Sequence, residues 1–75
     1  MKTIRYETNI GENCVFEIED GLVEKCLKAE LETAKLEFKK LGLNFVIKET
    51  VDSDGHICTT ICDPTGNRFV RWIRM

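Results

Sequence analysis

Residues 20–42, DGLVEKCLKAELETAKLEFKKLG, decide the fold, because they are the only stretch long and periodic enough for an extended amphipathic helix. Asp20 is a suitable N-cap, since its carboxylate can accept from the free amides of the first turn. Gly42 suits the position after the helix, where glycine enters the left-handed region at little cost. We therefore predict one helix between Asp20 and Gly42.

Two lines of apolar residues run along this helix. At about 100° per residue, the first line is the core face, which consists of Val23, Leu27, Leu31, Ala34, Phe38 and Leu41. The second line lies on the opposite side among charged residues and consists of Leu22, Ala29 and Leu36. This outer helix line faces solvent in a monomer, so it is either a set of ordinary exposed helix formers or a contact for a partner.

Short alternating segments on both sides of the helix predict five strands. Before the helix, Ile4 and Tyr6 alternate with polar residues, and the segment Cys14 to Glu19 directs Phe16 and Ile18 to one side. After the helix, the predicted strands are Leu43 to Val51, His56 to Cys62 and Arg68 to Arg74, separated by turns at 52–55 and 63–67. In the first of these three strands, Leu43, Phe45 and Ile47 share one face, which we place toward the helix.

The order ββαβββ predicts a single α+β domain over residues 1–75, in which one helix packs on one face of a five-stranded antiparallel sheet. All-antiparallel pairing allows the strand orders 2-1-3-4-5 and 2-1-5-4-3. In the last strand we place Val70 and Trp72 toward the helix, because the reverse choice would bury Arg71.

The side of the sheet away from the helix, here called the open sheet face, is the second candidate contact surface. It carries the apolar residues Val15, Val46, Phe69 and Ile73, with Arg71 and His56 as polar neighbours. An apolar centre with a polar rim is typical of a protein interface.

Cysteine and histidine residues in the fourth strand invite a metal interpretation, with His56, Cys58 and Cys62 joined by Cys14 or Cys26. On an extended strand Cys58 and Cys62 lie about 13 Å apart, too far to share one zinc ion or to form a disulfide. A set of His56, Cys58 and Cys14 stays open. We predict reduced cysteines, no metal and no cofactor, and no enzyme activity, because a Cys–His pair here lacks a recognisable third group.

Three arginines near the C-terminus support an alternative function, that of a small nucleic-acid-binding regulatory protein. Alternation places Arg71 on one face and Arg68 and Arg74 on the other, so the three do not form a continuous stripe. A net charge of −2 and a pI near 5.3 add no general attraction to nucleic acid.

The leading prediction is a small non-enzymatic module that binds another protein through the outer helix line, the open sheet face or both, with a homodimer as one form of such binding. Phage and mobile-element accessory or inhibitor proteins of the anti-CRISPR type are often small, acidic and free of motifs, and this association comes from size and the absence of motifs, not from matching residues. The N-terminal residues lack the apolar run of a signal peptide, and no stretch approaches the ~20 apolar residues of a membrane span. We therefore expect a cytoplasmic protein without a membrane partner.

Overall fold

The computed structural model describes residues 1–75 and contains five strands and one long helix. The elements are β1 (Lys2–Thr8), β2 (Asn13–Ile18), a 3-10 turn (Asp20–Leu22), α1 (Val23–Lys40), β3 (Val46–Val51), β4 (Ile57–Cys62) and β5 (Phe69–Arg74). This confirms the predicted ββαβββ order. No helix in the structure has the length and hydropathy that a membrane crossing requires.

All strand pairs are antiparallel, and the sheet order is β2-β1-β5-β4-β3. Of the two orders that the sequence allows, the structure takes the one in which β1 pairs with β5. Tyr6 then lies opposite Trp72 in the register, and their ring centroids are 6.0 Å apart. This order leaves β2 and β3 as the two edges of the sheet.

The two ends of the helix differ in how well the sequence predicted them. Asp20 is not the N-cap: it lies inside the 3-10 turn, no side chain caps either helical segment, and its carboxylate is instead 3.1 Å from the amino group of Met1. Gly42 has φ +69°, and its N–H donates to the carbonyl of Lys39 at 3.0 Å. The N–H of Leu43 donates to the carbonyl of Phe38 at 2.9 Å, which completes a Schellman motif and confirms the role of Gly42.

The core lies between the helix and the middle of the sheet. Its buried apolar residues are Ile4, Val23, Leu27, Ala34, Phe38, Ile61 and Trp72, and Val70 packs against them, so the predicted orientation of β5 is confirmed. Leu41 was predicted in the core stripe but is exposed. The helix ends at Lys40, and Leu43, brought back by the Schellman motif, packs on the core in its place.

Candidate functional site

The β3 edge is the most exposed regular element of the molecule. All six residues of β3 are exposed, and the apolar ones point to both sides of the sheet. Val46, Ile47 and Val51 are 41%, 43% and 67% exposed, respectively. No proline or bulge blocks the strand, although proteins commonly protect sheet edges with such features. The edge therefore combines apolar surface with an unpaired strand backbone.

The direction of the unpaired backbone groups follows from the β3–β4 ladder. The N–H of Asp52 donates to the carbonyl of His56 at 3.0 Å, which continues the register in which Val51 faces Ile57. Hydrogen-bonded and non-bonded pairs alternate along an antiparallel ladder. The N–H and C=O groups of Ile47, Glu49 and Val51 therefore point away from β4, toward any strand added outside β3.

A groove of about 580 Å³ separates β3 from the helix. Leu27, Leu31 and Ile47 form its apolar floor, and charged groups surround them, namely Glu24, Lys25, Lys28, Glu49 and Arg74. Ile47 lies opposite the core residue Ile61 and thus on the helix side, as predicted, but the helix does not reach far enough across the sheet to cover it. The groove is a consequence of placing one helix on a five-stranded sheet.

The two charged residues of β3 lie on opposite faces of the sheet. Lys48 lies opposite Thr60, which in turn lies opposite Arg71, so Lys48 is on the open sheet face. Glu49 lies opposite Thr59, which lies opposite the buried Trp72, so Glu49 is on the helix side. Each face of the β3 edge thus carries one charge, positive on one and negative on the other.

The outer helix line is exposed, as expected for its position. Leu22 and Leu36 are 46% and 58% exposed, and Ala29 between them is also exposed. These residues point away from the sheet, so they lie on the opposite side of the molecule from the open sheet face.

The open sheet face contains the residues predicted for it, but its own side chains cover much of its centre. Ile73 is only 9% exposed. The guanidinium of Arg71 lies 4.9 Å from the ring centroid of Phe69, its Nε donates to Thr60 Oγ1 at 3.2 Å, and it lies 3.6 Å from the carboxylate of Glu7. Of the predicted apolar residues, Val15 and Val46, near the two edges, remain exposed.

The three C-terminal arginines are not brought together. Arg71 lies on the open sheet face with Glu7, whereas Arg74 lies on the helix side and bonds Glu24. Arg68 lines a smaller groove between the helix and β1 and β5, which also contains three carboxylates, those of Glu12, Glu30 and Glu37. Burial, together with Glu12 and Glu30, raises the pKa of Tyr6 in this groove, as expected of an acidic surface.

The cysteine and histidine residues also lie apart. All four thiols are free, and Cys58 is buried on the open sheet face opposite Ile73. Cys14 lies opposite Tyr6 on the helix side, so the His56, Cys58 and Cys14 set cannot share one metal ion. Asp52, Asp54 and His56 place potential ligand atoms within 4.8 Å of one another. Asp52 Oδ1, however, accepts from the backbone N–H groups of Asp54 and His56 at 2.9 and 2.8 Å, so the carboxylate serves the predicted turn.

Of the β3 residues that form the candidate site, the sequence did not single out Ile47, Lys48, Glu49 and Val51. Alternation assigned Ile47 to the covered side, and only the strand order reveals that β3 is an edge. No protein family, characterised protein or solved structure matches the chain at a significant level.

Proposed function

We propose that this chain is a small non-enzymatic module that binds another protein through the β3 edge and the groove beside it. One observation carries the proposal: exposed apolar side chains and unpaired backbone groups lie together on β3. Addition of a partner strand to a sheet edge uses both features, since main-chain hydrogen bonds give affinity and side-chain pockets give specificity. Val46, at the start of β3, belongs to both this surface and the open sheet face.

The groove beside β3 also favours this surface as the binding site. Its volume lies within the range of about 300–1,000 Å³ that is usual for binding pockets, and its floor is apolar with charged groups around it. A module that acts by occupying a partner's surface would suit an accessory or inhibitor protein, including the anti-CRISPR type suggested by the small size and the absence of motifs. The outer helix line of Leu22, Ala29 and Leu36 is a second surface that a larger partner would contact.

The test first identifies a partner by capture on the tagged chain. It then compares how tightly variants of the chain bind that partner when both proteins are purified. Glu49→Pro removes an outward N–H donor from β3, and Glu49→Gln is the matched control that removes the charge but keeps the donor. We expect Glu49→Pro to weaken binding about tenfold or more, because the partner's carbonyl group would lose its hydrogen bond. Binding by Glu49→Gln should stay within a few-fold of the original.

Two further variants identify which surface of this chain contacts the partner if β3 does not. Leu22→Glu with Leu36→Glu disrupts the outer helix line, and Phe69→Asp disrupts the open sheet face. Circular dichroism must show that each variant is folded. Unchanged binding by Glu49→Pro, with loss of binding in one of the other variants, would contradict the assignment to β3, and unchanged binding by all of them would contradict the proposed function.

A further inference from the structure

We infer that the β3 edge accepts an antiparallel extended segment of a different protein, with a basic residue directly followed by an acidic residue at its centre, and that it rejects a second copy of this chain. The inference rests on the proposed function and deepens it by naming the chemistry of the partner. It follows from the positions of Lys48 and Glu49 on β3.

Symmetry restricts how two copies could pair through β3. A two-fold axis that joins two antiparallel edges runs perpendicular to the sheet, so each residue faces a residue from the same side of the sheet in the second copy. One register would pair all six residues of β3 with the six residues of the second copy. It would place side chains from opposite sides of the sheet across from each other, so the two-fold symmetry excludes it. Two registers remain in which five residues of each strand overlap.

Both of these registers bring like charges together. In one, Lys48 lies directly opposite its equivalent in the second copy, and in the other Glu49 does so. Directly opposed like charges destabilise a strand pair, with Cβ atoms only about 4.5–5.5 Å apart. The β3 edge thus disfavours its own copy.

A different strand can satisfy both charges. An acidic residue opposite Lys48 and a basic residue opposite Glu49 give two attractive pairs, one on each face of the sheet. In an antiparallel strand the residue opposite Glu49 comes first, so the order along the partner is basic and then acidic. Apolar residues should flank this pair, where they would contact Ile47 and Val46 on one side and Val51 on the other.

Two peptides of identical composition test the charge order. The matched peptide is Val-Thr-Lys-Glu-Ile-Val and the swapped peptide is Val-Thr-Glu-Lys-Ile-Val, each acetylated, amidated and flanked by Ser-Gly for solubility. Titration of the isotope-labelled chain, followed by amide NMR, should show the matched peptide binding about tenfold more tightly than the swapped one. The amides of Ile47, Glu49 and Val51 should shift and become protected from solvent exchange.

The charge-exchanged variant Lys48→Glu/Glu49→Lys provides the decisive control, because it should prefer the swapped peptide by a similar factor. Equal affinity of the two peptides, or no binding of either, would overturn the inference. If the peptides fail but Glu49→Pro still abolishes capture of the partner, the proposed function stands and the charge order alone is wrong. If Glu49→Pro also leaves capture unchanged, both fail.

Discussion

At the level of single residues, two aspartates hold the tight turns that join the last three strands. Asp52 Oδ1 accepts from two backbone N–H groups in the β3–β4 turn, and Asp63 Oδ1 accepts from the N–H of Arg68 at 3.0 Å in the β4–β5 turn. These bonds, chiefly from His56 to Asp52 and from Arg68 to Asp63, hold the pKa of both carboxyls below the usual value. The ionised form of each aspartate therefore favours the folded state.

The sign of the resulting pH dependence follows directly. A carboxyl with a lowered pKa in the folded state contributes stability above the unfolded pKa of about 3.9, and this contribution disappears as the pH falls through the folded pKa. We expect urea unfolding of the original chain to become easier below about pH 4, and more steeply so than in Asp52→Asn/Asp63→Asn. Asparagine keeps an oxygen acceptor but cannot titrate. Equal pH dependence of the two chains between pH 2.5 and 6 would contradict this prediction.

At the level of elements, the helix presents two kinds of surface within a few residues. Phe38 is 1% exposed in the core and stacks edge-on against Phe45, whereas Leu36, two residues earlier, is exposed on the outer helix line. The stripe that anchors the helix is thus separate from the line that a partner would contact.

Because the two surfaces are separate, truncation to alanine should change the free energy of unfolding strongly on one and little on the other. Phe38→Ala should lower the free energy of unfolding by about 3–5 kcal/mol, because it leaves a cavity in the core. The free energy of unfolding of the whole domain is only about 4–11 kcal/mol, so this variant should be close to unfolding. Leu36→Ala should change the free energy of unfolding by no more than about 0.5 kcal/mol. Urea denaturation followed by Trp72 fluorescence measures both, and a large loss in Leu36→Ala would show that the outer line is structural.

At the level of the whole molecule, the candidate surfaces point in different directions. The domain measures 36 × 25 × 20 Å, with the outer helix line on one side and the open sheet face on the other. The β3 edge lies at the side of the sheet, between these two surfaces. A partner that adds a strand to β3 could therefore extend over either side without covering both.

Self-association should appear once the charge on β3 is removed. Lys48→Thr eliminates the like-charge contact in one of the two self-pairing registers and adds a residue that favours strands. We expect this variant to dimerise at lower protein concentration than the original chain, as measured by sedimentation equilibrium. Addition of Glu49→Pro should return it to the monomer, because the outward donor is then missing. A dimer of the original chain that Glu49→Pro abolishes would contradict the role assigned to Lys48.

The sequence by itself determined the local structure: the helix and its core stripe, the turns and the inward side of each strand. Helical and strand periodicities record which side of an element is buried, and Gly42 marks the helix end through its own backbone preference. Asp20 shows the limit of such local signals, because its position inside the 3-10 turn prevents it from capping.

Tertiary structure alone decided which strand is the edge and which apolar residues stay exposed. The alternation of Val46 to Val51 is the same whether β1 pairs with the third strand or the fifth, and pairing between strands far apart in sequence settles it. The cover that Arg71 gives to the open sheet face likewise depends on Thr60 and Glu7 from neighbouring strands. The β3 edge therefore lies outside what periodicity can reveal, since edge position is a property of the assembled sheet.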